Sequence, residues 1–238
     1  MKTVLHLAGS RGHANHGWLD SHHTFSFAGY HDPERVHFGM LRVLNDDIVK
    51  GGMGFGQHPH DNMEIVSIPL KGVLEHKDTT GGHGLIRAGE VQIMSAGSGL
   101  QHSEKNGSHS EDVNFLQIWV FPRERNIKPR YEQKLYPAAE RQNRFQSVVA
   151  PDKTDGALWI NQEAWFSLGS FTKDAKQDYV LHRKESGVYL FVIEGAINVN
   201  DQPLHRRDGY GVWDTDTVTF TATENAEVLL MEVPMIPE

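Results

Sequence analysis

Two short motifs carry residue types that hold a transition metal. His58-Pro59-His60 sets two imidazoles two residues apart, and His102-Ser103-Glu104 sets an imidazole and a carboxylate at the same spacing. Alternate residues of a β-strand point to one face, so each pair would enter the interior of a sheet together. Pro59 lacks an N–H for a ladder, which predicts a strand start or an edge strand at this point. Three imidazoles and one carboxylate suit a borderline divalent metal such as Fe, Mn, Ni, Cu or Zn and serve magnesium or calcium poorly. Glu64 competes for the carboxylate role. It shares the strand face of His58 and His60 if the strand continues, as a ligand, as a support for an imidazole, or as a buried paired acid.

The rest of the composition narrows the chemistry. With no cysteine there is no disulfide, zinc ribbon, iron–sulfur cluster or thiol nucleophile, so a metal must be held by nitrogen and oxygen. A net charge of −8 removes the basic footprint of sequence-independent phosphate binding, and no direct nucleic-acid partner is expected. Of the 15 histidines, His6, His13, His16, His22, His23, His31 and His37 are scattered through a polar N-terminal stretch and read as surface or hydrogen-bonding groups. The glycine run over 51–56 lacks the Gly-Lys-Ser/Thr ending of a phosphate loop and reads as a flexible lip beside His58. Trp18, Phe25, Phe27 and Tyr30 have no basic residues interleaved, so they read as an arm covering the core rather than a base-stacking platform.

The elements that must position these groups are strands. Short apolar or alternating runs at 40–44, 64–70, 91–94, 114–120, 188–193 and 227–233 are bounded by turn residues, and hairpin signals recur at Lys71-Gly72, Gly81-Gly82, Asn106-Gly107, Asn200-Asp201 and Asp208-Gly209. A short helix near 137–141 is the exception. The fold class is therefore all-β, an antiparallel sandwich or barrel. The apolar run ending at Gly72 and the one ending at Gly195 are each followed by a loop and a second strand after Gly89 or Gly209, an internal repeat that implies two related β domains. The charged segment 121–134 reads as their connector, giving domains at 1–130 and 131–238. Offsets carried over from the first half fall on Leu181, Arg183 and Ala222, so the second domain is expected to lack metal ligands, with His182 and His205 structural or exposed. No apolar run is long enough to span a bilayer and the N-terminal one is shorter than a secretory core, so the expected location is cytoplasmic.

The residues also carry a family resemblance. Gly52, His58, His60, Glu64 and Gly72 resemble the first cupin motif, and Gly89 through His102 and Asn106 the second. Gly72 falls one residue late, and Ser95-Ala96-Gly97 stands where Pro-x-Gly is usual, with two extra residues before His102. These departures resemble those of the pirins, as do the stretch from Arg11 to Ser21, residues 24–27, Asp32-Pro33 and residues 41–47. The resemblance implies a bicupin, two tandem cupin-type antiparallel β domains, with the metal in the first. By position the ligands it implies are His58, His60, His102 and Glu104, with Glu64 as a neighbour of the site.

The resemblance further implies a quercetin 2,3-dioxygenase-like enzyme. The metal, Fe(II) first with Zn, Mn, Ni, Cu or Co as alternatives, would act as Lewis acid toward a flavonol hydroxyl, with Glu104, or Glu64 beside it, accepting its proton and carbon monoxide released after attack by dioxygen. Phe55, Met63 and Met94 are the expected walls. The alternative is a redox-sensitive regulatory protein that binds a protein partner without turnover. A sugar isomerase ranks last, because nothing resembles a phosphate-sugar clamp.

Overall fold

The computed structural model describes residues 1–153 and 156–235. The strands of the first half are β1 (Lys2–His6), β2 (Gly12–Asn15), β3 (Leu19–His23), β4 (Leu41–Val49), β5 (Gly54–His60), β6 (Glu64–Lys71), β7 (Val73–Asp78), β8 (His83–Arg87), β9 (Glu90–Ser95), β10 (Leu100–Asn106), β11 (Val113–Val120) and β12 (Arg130–Leu135). Those of the second half are β13 (Phe145–Ala150), β14 (Leu158–Trp159), β15 (Trp165–Phe171), β16 (Lys176–Val180), β17 (Ser186–Glu194), β18 (Ala196–Val199), β19 (Gln202–His205), β20 (Gly209–Trp213), β21 (Thr217–Ala222) and β22 (Ala226–Pro234). A 3-10 turn occupies Ala138–Arg141, where a short helix is expected.

Each half builds a seven-stranded sheet facing a four-stranded one. The first half has the orders β12-β9-β6-β11-β4-β3-β2 and β5-β10-β7-β8; the second has β1-β20-β17-β22-β15-β13-β14 and β16-β21-β18-β19. This is the all-β, two-domain cupin architecture expected. The apolar runs are continuous because the large sheets are covered on both sides. Along β17, Val188, Leu190 and Val192 face the interior of the second unit, while Tyr189, Phe191 and Ile193 join a core shared with Leu44, Val66, Ile68 and Ile118 of the first. The large sheets thus pack back to back, leaving each interior to the opposite strand faces.

Several expectations are revised. Pro59 lies at the end of β5, not its start, though β5 is indeed an edge strand. Gly54 and Gly56 are part of β5, so only the turn at Gly51 and Gly52 remains of the glycine lip. Within the segment read as a connector, β12 pairs with β9 over Arg130–Leu135, so a division at residue 130 separates it from its sheet partner. At the other end of the chain β1 pairs with β20, the N-terminal strand completing the second unit's sheet. Among the described residues no helix is long and apolar enough to cross a membrane.

Candidate metal centre

β10 alternates as a half-buried strand should: Leu100, His102, Glu104 and Asn106 are buried, while Gln101 and Lys105 are exposed. It lies between β5 and β7, with His102 opposite His58 on one side and opposite Asp78 on the other. A register shift between His102 and Glu104 sets Glu104 against Phe55, a bulge beside the site of the kind that re-aims side chains. The imidazole centroids of His58, His60 and His102 are 4.5–4.9 Å apart, and one ring nitrogen from each lies within 4.8 Å of the others.

The hydrogen bonds select the tautomers. Nδ1 of His58 lies 2.8 Å from the Gly56 carbonyl and can only donate to it, which leaves Nε2 as a lone pair. His76 Nε2 lies 2.9 Å from Asp78 Oδ2 and donates to it, so His76 Nδ1 accepts from His102 Nδ1 at 3.4 Å. His102 Nε2 is then also a bare acceptor. It is buried without a hydrogen-bond partner, as is His60 Nε2. Burial, with mutual repulsion, lowers the pKa of His60 to about 4 and that of His102 to about 2, so both rings are neutral at pH 7. Orphaned imidazole nitrogens in a dry interior are costly alone and suited to a metal. The donor set therefore fits the ion that the motifs imply.

Glu104 is 3% exposed and belongs to a second cluster, with His102 and His76. Gln117 Nε2 donates to its Oε2 at 2.6 Å, and the Ser67 hydroxyl, with one proton for two acceptors, lies 3.1 Å from its Oε1 and 2.7 Å from Gln117 Oε1. Burial nevertheless raises its pKa to about 7. Glu64 joins neither cluster. It is fully buried, accepts from Ser95 Oγ at 2.7 Å and from the backbone N–H of Asn161 in the second unit at 3.2 Å, and is raised to about 7 by burial.

A cleft of about 690 Å³ opens beside His58 and Glu104. That is within the ~300–1,000 Å³ typical of small-molecule sites. Phe55 lines it, edge-on to Trp18 at 5.2 Å. Met63 instead lines an outer groove with His60, and Met94, buried with Ile65 and Leu100, lines neither. The N-terminal aromatics are corrected too: Phe25 is in the core, but Trp18, Phe27 and Tyr30 form walls of the cleft. His13, His16 and His23, read as scattered surface groups, line it with Ser21, Asn45 and Asp47.

Sequence reasoning missed His76, Asp78 and Asp47. For Asp47 there is a signal: Asn45-Asp46-Asp47 interrupts an otherwise apolar β4. His76 has none, because a lone histidine in a hairpin strand is indistinguishable from a surface residue. In the second unit Leu181 packs on the core, Arg183 pairs with Glu163, and Ala222 is buried. His182 stacks on Trp165 and lies 2.8 Å from Glu232, while the His205 side chain is 74% exposed. Among the described residues, the clusters of three or more metal-binding groups all fall in the first half.

Comparison with known proteins gives a consistent picture. The pirin family profile matches residues 4–120, and a profile described as the quercetinase C-terminal cupin domain matches 147–233. A protein of Escherichia coli strain K12 named quercetin 2,3-dioxygenase is 42% identical over 232 residues, covering 98% of this chain and 99% of that one. A pirin-like protein of Caulobacter vibrioides is 38% identical over 222 residues, 93% of this chain and 95% of that one. The crystal structure of the bacterial pirin YhhW of Escherichia coli in complex with nickel(II) superposes with a TM-score of 0.94 at 42% identity, covering 99% of this chain and all of that one.

Proposed function

The chain belongs to the pirin family, and from that membership we propose that it is a metal-dependent dioxygenase acting on a flavonol such as quercetin, opening the ring with O2 and releasing carbon monoxide. One observation carries the reading: three imidazoles converge on one point beside an aromatic-walled cleft that His58 and Glu104 line. His58, His60, His102 and Glu104 would hold the metal, with iron the ion best suited to dioxygen chemistry. When bound, the metal supplies Lewis acidity toward an enolic oxygen and, as iron, redox coupling to O2.

The chain's own groups supply the rest. Trp18, Phe27 and Phe55 offer faces and edges for a planar ring and exclude water from it. Ser67 and Gln117 hold the Glu104 carboxylate in one orientation, so its charge is placed before substrate arrives. Asp78 and His76 do the same for His102. The names of the relatives support the same chemistry.

The test is oxygen consumption by iron-loaded protein given quercetin, with the His58→Ala/His60→Ala double variant as blank. Uptake stoichiometric with flavonol loss and absent from the blank is expected. No uptake by protein verified to contain iron would overturn the flavonol assignment and favour a metal-dependent binding role.

A further inference from the structure

The cleft contains a second set of linked polar side chains whose hydrogen-bonding capacity the protein leaves unfilled. Ser21 on β3 and Asp47 on β4 are register partners, and Ser21 Oγ donates to Asp47 Oδ1 while lying 2.8 Å from Nε2 of His23. A serine has one proton. With it committed to the carboxylate, His23 Nε2–H donates to Oγ and His23 Nδ1 becomes an acceptor. That nitrogen is buried without a partner, as is the amide oxygen of Asn45, two residues along the same face of β4. The two residues are only 3% and 2% exposed, yet both line the cleft. Asp47, itself 4% exposed, lines the cleft beside them. Two buried acceptors left open in this way ask for a ligand that brings protons.

We propose that Asp47 accepts the proton of the substrate's acidic enol or phenol hydroxyl, with Ser21 and His23 as positioning residues that fix its carboxylate toward the cleft. This rests on the reading of the cleft given above and moves the proton-accepting role from Glu104, where the family resemblance places it. In the step the substrate O–H bond breaks, the proton bonds to Asp47 Oδ2, and the electron pair stays on the substrate oxygen. Nothing is oxidised or reduced, and the proton returns to solvent as product leaves.

Glu104 is already engaged. Gln117 Nε2 donates to its Oε2, the Ser67 hydroxyl lies 3.1 Å from its Oε1, and a bound metal would draw on what remains. Asp47 has a single neutral hydroxyl on one oxygen and no cation against it. Burial raises its pKa to about 7; Ser21 opposes the rise, while Asp46 beside it and Glu104 across the cleft add to it. A carboxylate so tuned can take and return a proton near neutral pH.

The experiment uses zinc-loaded protein with quercetin under argon, so that no turnover is needed, and reads the protonation state of the bound flavonol from its absorption, which moves to longer wavelength on ionisation. Wild-type protein at pH 7 should show the anion band. Asp47→Asn should fold and bind quercetin and zinc, but its ratio of anion to neutral flavonol should fall by about tenfold, one pKa unit. Ser21→Ala removes a donor that lowers the Asp47 pKa, so it should shift the pH at which the anion band appears, by less than Asp47→Asn does. An anion band in Asp47→Asn equal to that of wild type would overturn the proposal while leaving the flavonol reading intact. If Asp47→Asn fails to fold or loses zinc, an anion band in Ser21→Ala with the same pH dependence as that of wild type overturns it instead. Absence of quercetin binding to zinc-loaded wild type, by equilibrium dialysis, would sink the flavonol reading and this inference with it.

Discussion

His102 presents Nε2 to its neighbours because Asp78 and His76 leave it no other tautomer. Asp78 is suited to the end of this chain: burial pushes its pKa up, but donors from Thr80, His76 and the backbone of Gly82 outweigh that and hold it low. His76 is pushed down by burial more than Asp78 raises it. A neutral imidazole donating to a carboxylate is the arrangement that orients metal-ligating histidines, and losing such a partner typically weakens metal binding about 10–100-fold. Asp78→Asn should therefore bind Ni(II) or Zn(II) about 10–100-fold more weakly by isothermal titration. His102→Ala should lose most bound metal by elemental analysis, whereas His182→Ala, stacked on Trp165 in the second unit, should lose none. Equal loss in the two alanine variants would refute the ligand assignment. The spacing of His58, His60, His102 and Glu104 was legible in the sequence; Asp78 and His76 were not, because their relation to His102 exists only across the β7–β10 ladder.

At the scale of elements, the site depends on how closely edge strand β5 lies against β10. A Cβ on Gly54 would come within 2.4 Å of the Lys105 Cα and 2.5 Å of the Glu104 carbonyl oxygen, both backbone atoms. They adjoin the bulge that separates the His102–His58 pair from the Glu104–Phe55 pair. Gly54→Ala must push the strands apart there, so a destabilisation of about 1–3 kcal/mol is expected, as for other overpacked sites. Metal content should fall with it; a variant with wild-type melting temperature and full metal occupancy would show that β5 tolerates the added methyl. The glycine run was visible in the sequence but read as a lip, because a glycine required by close strand approach cannot be told from a flexible one without the neighbouring strand.

For the molecule as a whole, Glu64 joins the two halves electrostatically. It sits on β6, takes a hydroxyl from β9 and a backbone N–H from Asn161, and its other oxygen, Oε1, is buried without a partner. Burial raises its pKa from 4.5 to about 7, opposed by Ser95, Asn161 and Arg130. Between those values the folded state binds more protons than the unfolded one, so Glu64 costs stability as pH rises through the window, by up to about 3 kcal/mol, and no more above it. Glu64→Gln should therefore gain on wild type between pH 5 and pH 8 in denaturant titrations of metal-free protein. A difference that does not grow with pH would mean the carboxylate is not held in this state. Placing Glu64 near His58 was reasonable from strand parity, but the turn after His60 separates β5 and β6 into different sheets.

The sequence by itself determined the local features: period-two strands, hairpins at Asn200-Asp201 and Gly81-Gly82, an internal repeat, and two pairs of candidate ligands on single strand faces, whereas the turn at Lys71-Gly72 carries the chain from one sheet to the other. These depend on residues a few positions apart and on backbone rules that hold in any context. Only the tertiary structure decided that β12 belongs with β9 and β1 with β20, that Glu64 faces the other half of the chain, and that Phe27 and Tyr30 wall a cleft, as Trp18 does while also covering a core. It also brought Ser21, His23, Asn45 and Asp47 together. Each of these outcomes turns on which strand lies beside which and on the water it excludes. A chain with both faces of its large sheets buried carries no alternation from which that pairing could be read.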